Sequence, residues 1–131
     1  MRAYLLDVEN KTRKAVEIDD NRHLEEYYKY LNCSTVDITS RKIGGKWFDI
    51  IADDEGLYKE NPIVSALTSD NEPALVGNLL FCNYDAETGA EISLTEADIE
   101  YLEKHTGLAV KKDAEGNELD ILLVMTQVDY E

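Results

Sequence analysis

Apolar positions in this chain fall mostly in short runs broken by turn residues, the pattern of strands, and twice in the wider spacing of a helix. Arg2 to Asp7 reads as a strand, Val8 to Thr12 as a turn, and Arg13 to Ile18 as the partner strand of an opening hairpin. Asp19 or Asp20 is placed to cap a helix over 21–31, whose Leu24, Tyr27, Tyr28 and Leu31 form a stripe at i, i+3, i+4 and i+7. Ser34 to Ile43 alternates again. Gly44-Gly45 is a tight-turn signal, and Lys46 to Ala52 is the return strand.

Asp53-Asp54-Glu55-Gly56 closes that hairpin. Asn61-Pro62 then predicts a short helix over 62–68, with Asn as cap and Pro at the first helical position. Ala74 to Tyr84 reads as one apolar strand, interrupted by Gly77, where a bulge or close approach is expected. An acidic loop, Asp85 to Glu91, leads to a second long helix. Thr95 is its cap, Asp98 completes a capping box, Leu94 and Ile99 are spaced as a hydrophobic staple, and Gly107 is the stop. Val110 to Lys112 and Leu119 to Val128 flank a turn at 113–117, a closing hairpin. The expectation is an α+β fold in a single compact domain, with a mostly antiparallel sheet, two main helices and one short helix. Its 131 residues match the size of one ordinary domain.

Charge adds what patterning does not show. Thirteen basic residues stand against 28 acidic ones, a net of −15. Residues 1–48 hold nine Lys or Arg and eight Asp or Glu, whereas residues 49–131 hold four Lys and 20 Asp or Glu. The excess therefore lies wholly in the C-terminal part. Such a surface repels nucleic acid and anionic membranes and attracts basic partners. The opening MRAYLLDVEN lacks the apolar run of a signal peptide, and the longest apolar run, Ile121 to Met125, is far too short to span a bilayer. A cytoplasmic protein with no membrane partner is expected. Cys33 and Cys82 sit among apolar residues without a CxxC pair, the pattern of buried thiols in a reducing compartment.

Candidate chemistry is sparse. His23 and His105 fall at opposite ends of different helices, and a histidine near a helix C-terminus is favoured by the dipole alone. There is no GxSxG, no HExxH, no phosphate-binding glycine loop and no dinucleotide fingerprint. The turns at Asp53 and Asp113 bring glycine too early for an EF-hand. No catalytic residue, metal site or cofactor is expected, and an enzyme is the weakest reading. Of Tyr27, Tyr28 and Tyr30, the first two complete the apolar stripe of their helix, and a base-stacking platform wants basic surroundings that a chain this acidic does not offer, so direct nucleic-acid binding is not expected.

One acidic constellation stands out. Glu96, Glu100 and Glu103 share one face of the second long helix, and Asp85, Glu87 and Glu91 precede it. A row of carboxylates can stand in for phosphates on a partner that holds nucleic acid through Lys and Arg.

The segments RAYLLD, KAVEID, DDEGL, NPIVSAL, VGNLLF and SLTEADIEYL together resemble a small bacterial and phage family, domain of unknown function 3846. The resemblance implies a family domain over 1–107 and a hairpin extension over 108–131 packed on it. It implies no activity. It does imply the setting of an accessory protein of phages and mobile elements, where disarming host nucleic-acid enzymes is a common task.

Three functions compete on these residues. The first is a non-enzymatic acidic protein that binds a basic, nucleic-acid-handling partner as a mimic or anti-defence inhibitor, through Glu96, Glu100, Glu103, Asp85, Glu87 and Glu91. The second is a module for a small, nucleotide-like ligand, with Trp47, Phe48, Gly77 and Asn78 lining its pocket. The third is a structural homodimer pairing through Leu119 to Val128.

Overall fold

The fold is seen in a computed structural model that describes residues 1–58, 64–68, 73–112, 114–116 and 118–127. β1 (Arg2–Asp7) and β2 (Thr12–Glu17) form the opening antiparallel hairpin. α1 (His23–Leu31) follows. β3 (Val36–Ile43) and β4 (Lys46–Asp53) form a second hairpin with unbroken register, from Val36 opposite Asp53 to Ile43 opposite Lys46. After a 3-10 turn at Gly56–Tyr58 come β5 (Val64–Leu67), β6 (Pro73–Val76), β7 (Leu79–Tyr84) and β8 (Glu91–Ile92). α2 (Glu96–His105) leads directly into β9 (Thr106–Lys112) and β10 (Glu118–Gln127).

The first sheet has the order β2-β1-β7-β4-β3, with β8 alongside β7, and every pairing in it is antiparallel. β7 thus separates the two hairpins. Its Leu79, Leu80, Phe81 and Cys82 are all fully buried, as a central strand covered on both faces requires. On one face Ala3, Leu5, Val16, Ile51, Leu80 and Cys82 pack against Tyr27 and Leu31 of α1. On the other, Tyr4, Leu6, Phe48, Ile50, Leu79 and Phe81 pack against Ile99 and Leu102 of α2. Burying each of these helix side chains stabilises the fold by roughly 1.5–3 kcal/mol.

The second sheet has the order β6-β5-β10-β9. Its β5–β10 pairing is parallel, at Ala66 with Thr126 and Leu67 with Gln127. Ala66, Ala74 and Leu75 join the core cluster on the α2 side. The fold is α+β, with mostly antiparallel sheets and, among the described residues, two α-helices.

Several sequence expectations are corrected. Val64–Leu67, inside the expected short helix over 62–68, is strand β5; residues 62 and 63 lie outside the described ones. An isolated segment of that length cannot sustain a helix against available strand partners on both sides. The expected single strand from Ala74 to Tyr84 is two strands in different sheets. Gly77, at φ +77°, makes the break. Neither Asp19 nor Asp20 caps α1. Arg22 occupies that position without a side-chain bond, while Asp20 Oδ1 accepts from the N-terminal ammonium at 2.9 Å and Asp19 Oδ1 from Asn21 N–H. Leu24 is 52% exposed, so the buried stripe of α1 is narrower than its spacing predicts. Gly107 lies within β9, because the helix gives way to strand already at Thr106.

Candidate functional site: an anchored acidic helix

α2 starts where its sequence says it must. Thr95 Oγ1 accepts from Asp98 N–H at 3.1 Å, and Asp98 Oδ2 accepts from Thr95 N–H at 2.9 Å, the reciprocal bonds of a capping box. Asp98 then does more than cap. Its carboxylate also accepts from Thr95 Oγ1, from Asn83 Nδ2 of β7 at 2.7 Å, and from Lys46 Nζ of β4. Lys46 in turn lies 5.4 Å from the ring centroids of both Phe48 and Tyr101. The Asp98 side chain is only 5% exposed. Burial pushes this carboxyl's pKa up, but the bonds from Lys46, Thr95 and Asn83 outweigh burial and hold it at about 2. The N-terminal turn of α2 is thereby tied to two strands of the first sheet.

The C-terminal turn is tied just as firmly. Arg13 of β2 donates to the carbonyls of Glu103 and Thr106, at 2.8 and 2.9 Å, and to Thr106 Oγ1. A guanidinium placed there satisfies carbonyls that the helix leaves open and suits the negative end of its dipole. The Tyr101 hydroxyl reaches the carbonyls of Ile43 and Gly44 at 2.7 and 2.8 Å, docking the tip of the β3–β4 hairpin. Tyr101 also stacks on His105 with centroids 4.2 Å apart. Gly44 fits beneath this pair only because it has no side chain. A Cβ there would lie 2.6 Å from His105 Cε1 and 2.8 Å from the Tyr101 oxygen, and the residue sits at φ +59°.

With its inner polar groups so used, α2 turns Glu96, Glu100 and Glu103 to solvent, all three exposed. Glu96 lies 3.9 Å from Arg2, itself well exposed. An exposed pair of that length contributes little and does not neutralise the face. Among the described residues, Glu100 and Glu103 have no side-chain ion pair.

The 85–91 segment divides. Asp85 Oδ1 accepts from Glu87 N–H at 2.8 Å and Thr88 N–H at 3.3 Å, closing the loop on itself and leaving Glu87 exposed at its tip. Glu91 stands directly opposite Tyr84. Tyr84 shares a face with Cys82, two residues along β7, and Cys82 packs on the α1 side. Glu91 therefore projects on the α1 side of the sheet, away from Glu96, Glu100 and Glu103. The six predicted residues do not form one surface.

The residues expected to line a ligand pocket are also separated. Phe48 is fully buried in the α2-side core, whereas its neighbour Trp47 is 38% exposed and points to the opposite face of β4. Asn78 accepts from Val8 N–H and donates to the Tyr30 carbonyl, which fixes it as a strut. A cavity of about 250 Å³ does exist elsewhere, lined by Asp37, Thr39, Asp53, Asp54, Leu75 and Val76 among others. It falls below the roughly 300–1,000 Å³ that small-molecule sites occupy. An open groove by Asn32, Cys33 and Ser34 is larger, about 320 Å³.

Neither cysteine is in a disulfide. Burial pushes the Cys82 thiol far above its ordinary pKa, aided by Asp49 and Glu91, so it does not supply a thiolate. Among the described residues, no group of three or more His, Cys, Asp or Glu is placed to hold a metal ion, and no helix is long and apolar enough to cross a membrane.

The anchors were not legible as such. Lys46, Asn83, Arg13 and Tyr101 each act across more than 50 residues or between elements whose neighbourhood the sequence does not state; only the Thr95–Asp98 spacing carried a local signal. Searches among curated proteins and among solved structures find no match. The model of one family does match, over residues 1–107, and the chain belongs to that family, described as Domain of unknown function (DUF3846).

Proposed function

We propose that this chain is a non-enzymatic, cytoplasmic accessory protein of a phage or mobile element that binds a basic, nucleic-acid-handling protein. Its α2 carboxylates would occupy the partner's phosphate-binding groove, as a nucleic-acid mimic or anti-defence inhibitor does. The observation that carries this reading is the exposure of Glu96, Glu100 and Glu103 along one face of a helix fixed at both ends. Adjacent members of the row are about one helical turn, roughly 5–6 Å, apart. Because the helix is held by Asp98 and Arg13, the row is ordered before any partner arrives, and binding pays less to order it. Glu87, at the tip of its loop, adds to the negative field; Glu91, on the far side of the sheet, is not part of the contact.

The test is charge reversal, Glu96→Lys with Glu100→Lys and Glu103→Lys, in a pull-down from bacterial lysate. Partner retention unchanged in this variant would sink the reading. A small-ligand module is the second reading, and it rests on the cavity by Asp37, Asp53 and Asp54. That cavity is small and acidic, which suits a cationic group better than a nucleotide.

A further inference from the structure

β3 ends the first sheet, and among the described strands nothing pairs with its outer side. It is eight residues long and runs in unbroken register with β4. A two-residue loop, Gly44-Gly45, joins the two, which makes Ile43 and Lys46 the hydrogen-bonded closing pair. Odd-numbered residues of β3 then bond to β4, and Val36, Ile38, Ser40 and Lys42 present their N–H and C=O groups outward. The structure agrees: Thr35 O accepts from Asp54 N–H on the β4 side, whereas Ser40 O is met from outside by the Arg41 guanidinium at 3.0 Å. Such an edge is a template for another strand.

Charged side chains on edge strands usually prevent self-association, so the arrangement of charge decides what this edge admits. An antiparallel copy of β3 must place outward-facing residues opposite one another, so paired residue numbers sum to an even value. A register centred on Thr39 sets Asp37 opposite Arg41 of the second copy, twice, with Thr39 opposite Thr39. Shifting the centre to Asp37 or to Arg41 sets like charges face to face, and centring it on Ile38 or Ser40 leaves both charges opposite uncharged residues. The Thr39-centred pairs are of the non-hydrogen-bonded kind, in which side chains approach most closely. Asp37 is exposed and, among the described residues, has no ion pair. On the other face, Ile38 is 42% exposed and would lie diagonally beside Ile38 of the second copy.

We propose that β3 is a self-complementary interface, through which two copies of this chain pair antiparallel about Thr39 into one continuous sheet. This contact uses none of the α2 glutamates, so it is tested separately from the acidic face. Arg41 leaves the Ser40 carbonyl for Asp37 of the second copy, and that carbonyl takes an N–H from the incoming strand.

Sedimentation velocity over a range of concentrations tests the pairing. The protein should shift from monomer to dimer as concentration rises. Asp37→Arg alone and Arg41→Asp alone should each weaken association by about tenfold or more. Mixing those two variants should restore it, because the mixed pair regains both opposite-charge contacts. In a Cys33→Ser background, Thr39→Cys should yield a disulfide-linked dimer on mild oxidation, since facing Cα atoms in such pairs lie about 4.5 Å apart. A protein that stays monomeric at every concentration overturns the proposal. So does a dimer indifferent to both charge variants, or one that the Thr39→Cys link does not trap. Circular dichroism of each variant separates lost pairing from lost folding.

Discussion

Lys46, at the start of β4, donates to the buried carboxylate of Asp98, 52 residues away in the first turn of α2. This contact makes the helix an extension of the sheet, and it is the part of the anchor most sensitive to acid. Asp98 has its pKa held at about 2, against an ordinary value of 3.8. A carboxyl depressed on folding contributes stability that is full above its unfolded pKa and lost as pH falls through the folded one. Its contribution, about 2 kcal/mol, should therefore persist above about pH 5 and disappear between about pH 4 and pH 2. Denaturant unfolding of the parent and Asp98→Asn proteins checks this: the gap between them should be widest near neutrality and narrow across that window.

Removing the other partner should act in the same direction. Lys46→Met leaves Asp98 with Thr95 and Asn83 but no cation, so its pKa rises and the acid transition moves to higher pH. The loss at pH 7 should be about 1–3 kcal/mol, the usual cost of depriving a buried charged group of one partner.

Gly44 is the point where hairpin and helix meet. Gly44→Ala must place a Cβ into His105 and Tyr101 and hold a non-glycine residue at φ +59°. Gly45→Ala also carries a positive φ, +92°, but its Cβ meets nothing within 4 Å. Thermal unfolding should show both variants destabilised, by about 1–2 kcal/mol from backbone conformation alone. Gly44→Ala should be the worse of the two. Equal losses would mean that the Tyr101–His105 lid moves aside freely.

Arg13→Met should fray the C-terminal end of α2. Three hydrogen bonds to Glu103 and Thr106 are lost while the aliphatic stem is kept. A cost of about 1.5–3 kcal/mol is expected. Hydrogen exchange should show faster exchange in the last turn of α2 and not in its capped first turn.

How much of this was readable in the sequence depends on the range of the interaction. Both sheet-one hairpins and the capping box of Thr95 and Asp98 follow from spacings of a few residues, and the structure has them. The position of β7 between the hairpins does not, because strand order is set by which apolar faces meet. Val64 to Leu67 looked helical because Asn61-Pro62 is a good start signal, but pairing with β6 and β10 overrides it. Leu24 has the spacing of a core residue and is exposed, because α1 reaches the sheet through Tyr27 and Leu31. Within the site, Glu96, Glu100 and Glu103 lie together as helical periodicity predicts. Glu91 is separated from them by the register of β8 on β7, which no local pattern encodes.

The outward glutamates should be nearly irrelevant to folding. Glu96 and Glu100 are like charges one turn apart, a spacing that slightly destabilises a helix. Glu100→Gln should change unfolding free energy by less than about 0.5 kcal/mol, within the range of surface substitutions. A larger loss would assign the row a structural role.

The most direct test of the acidic-face account is a side-by-side pull-down from bacterial lysate with the parent protein and the Glu96→Lys, Glu100→Lys, Glu103→Lys variant, at low and high salt. Basic, nucleic-acid-handling proteins should be retained by the parent, released by salt that screens charges beyond about 10 Å at 0.1 M, and absent from the folded variant. Recovery of the same proteins on both baits would contradict it.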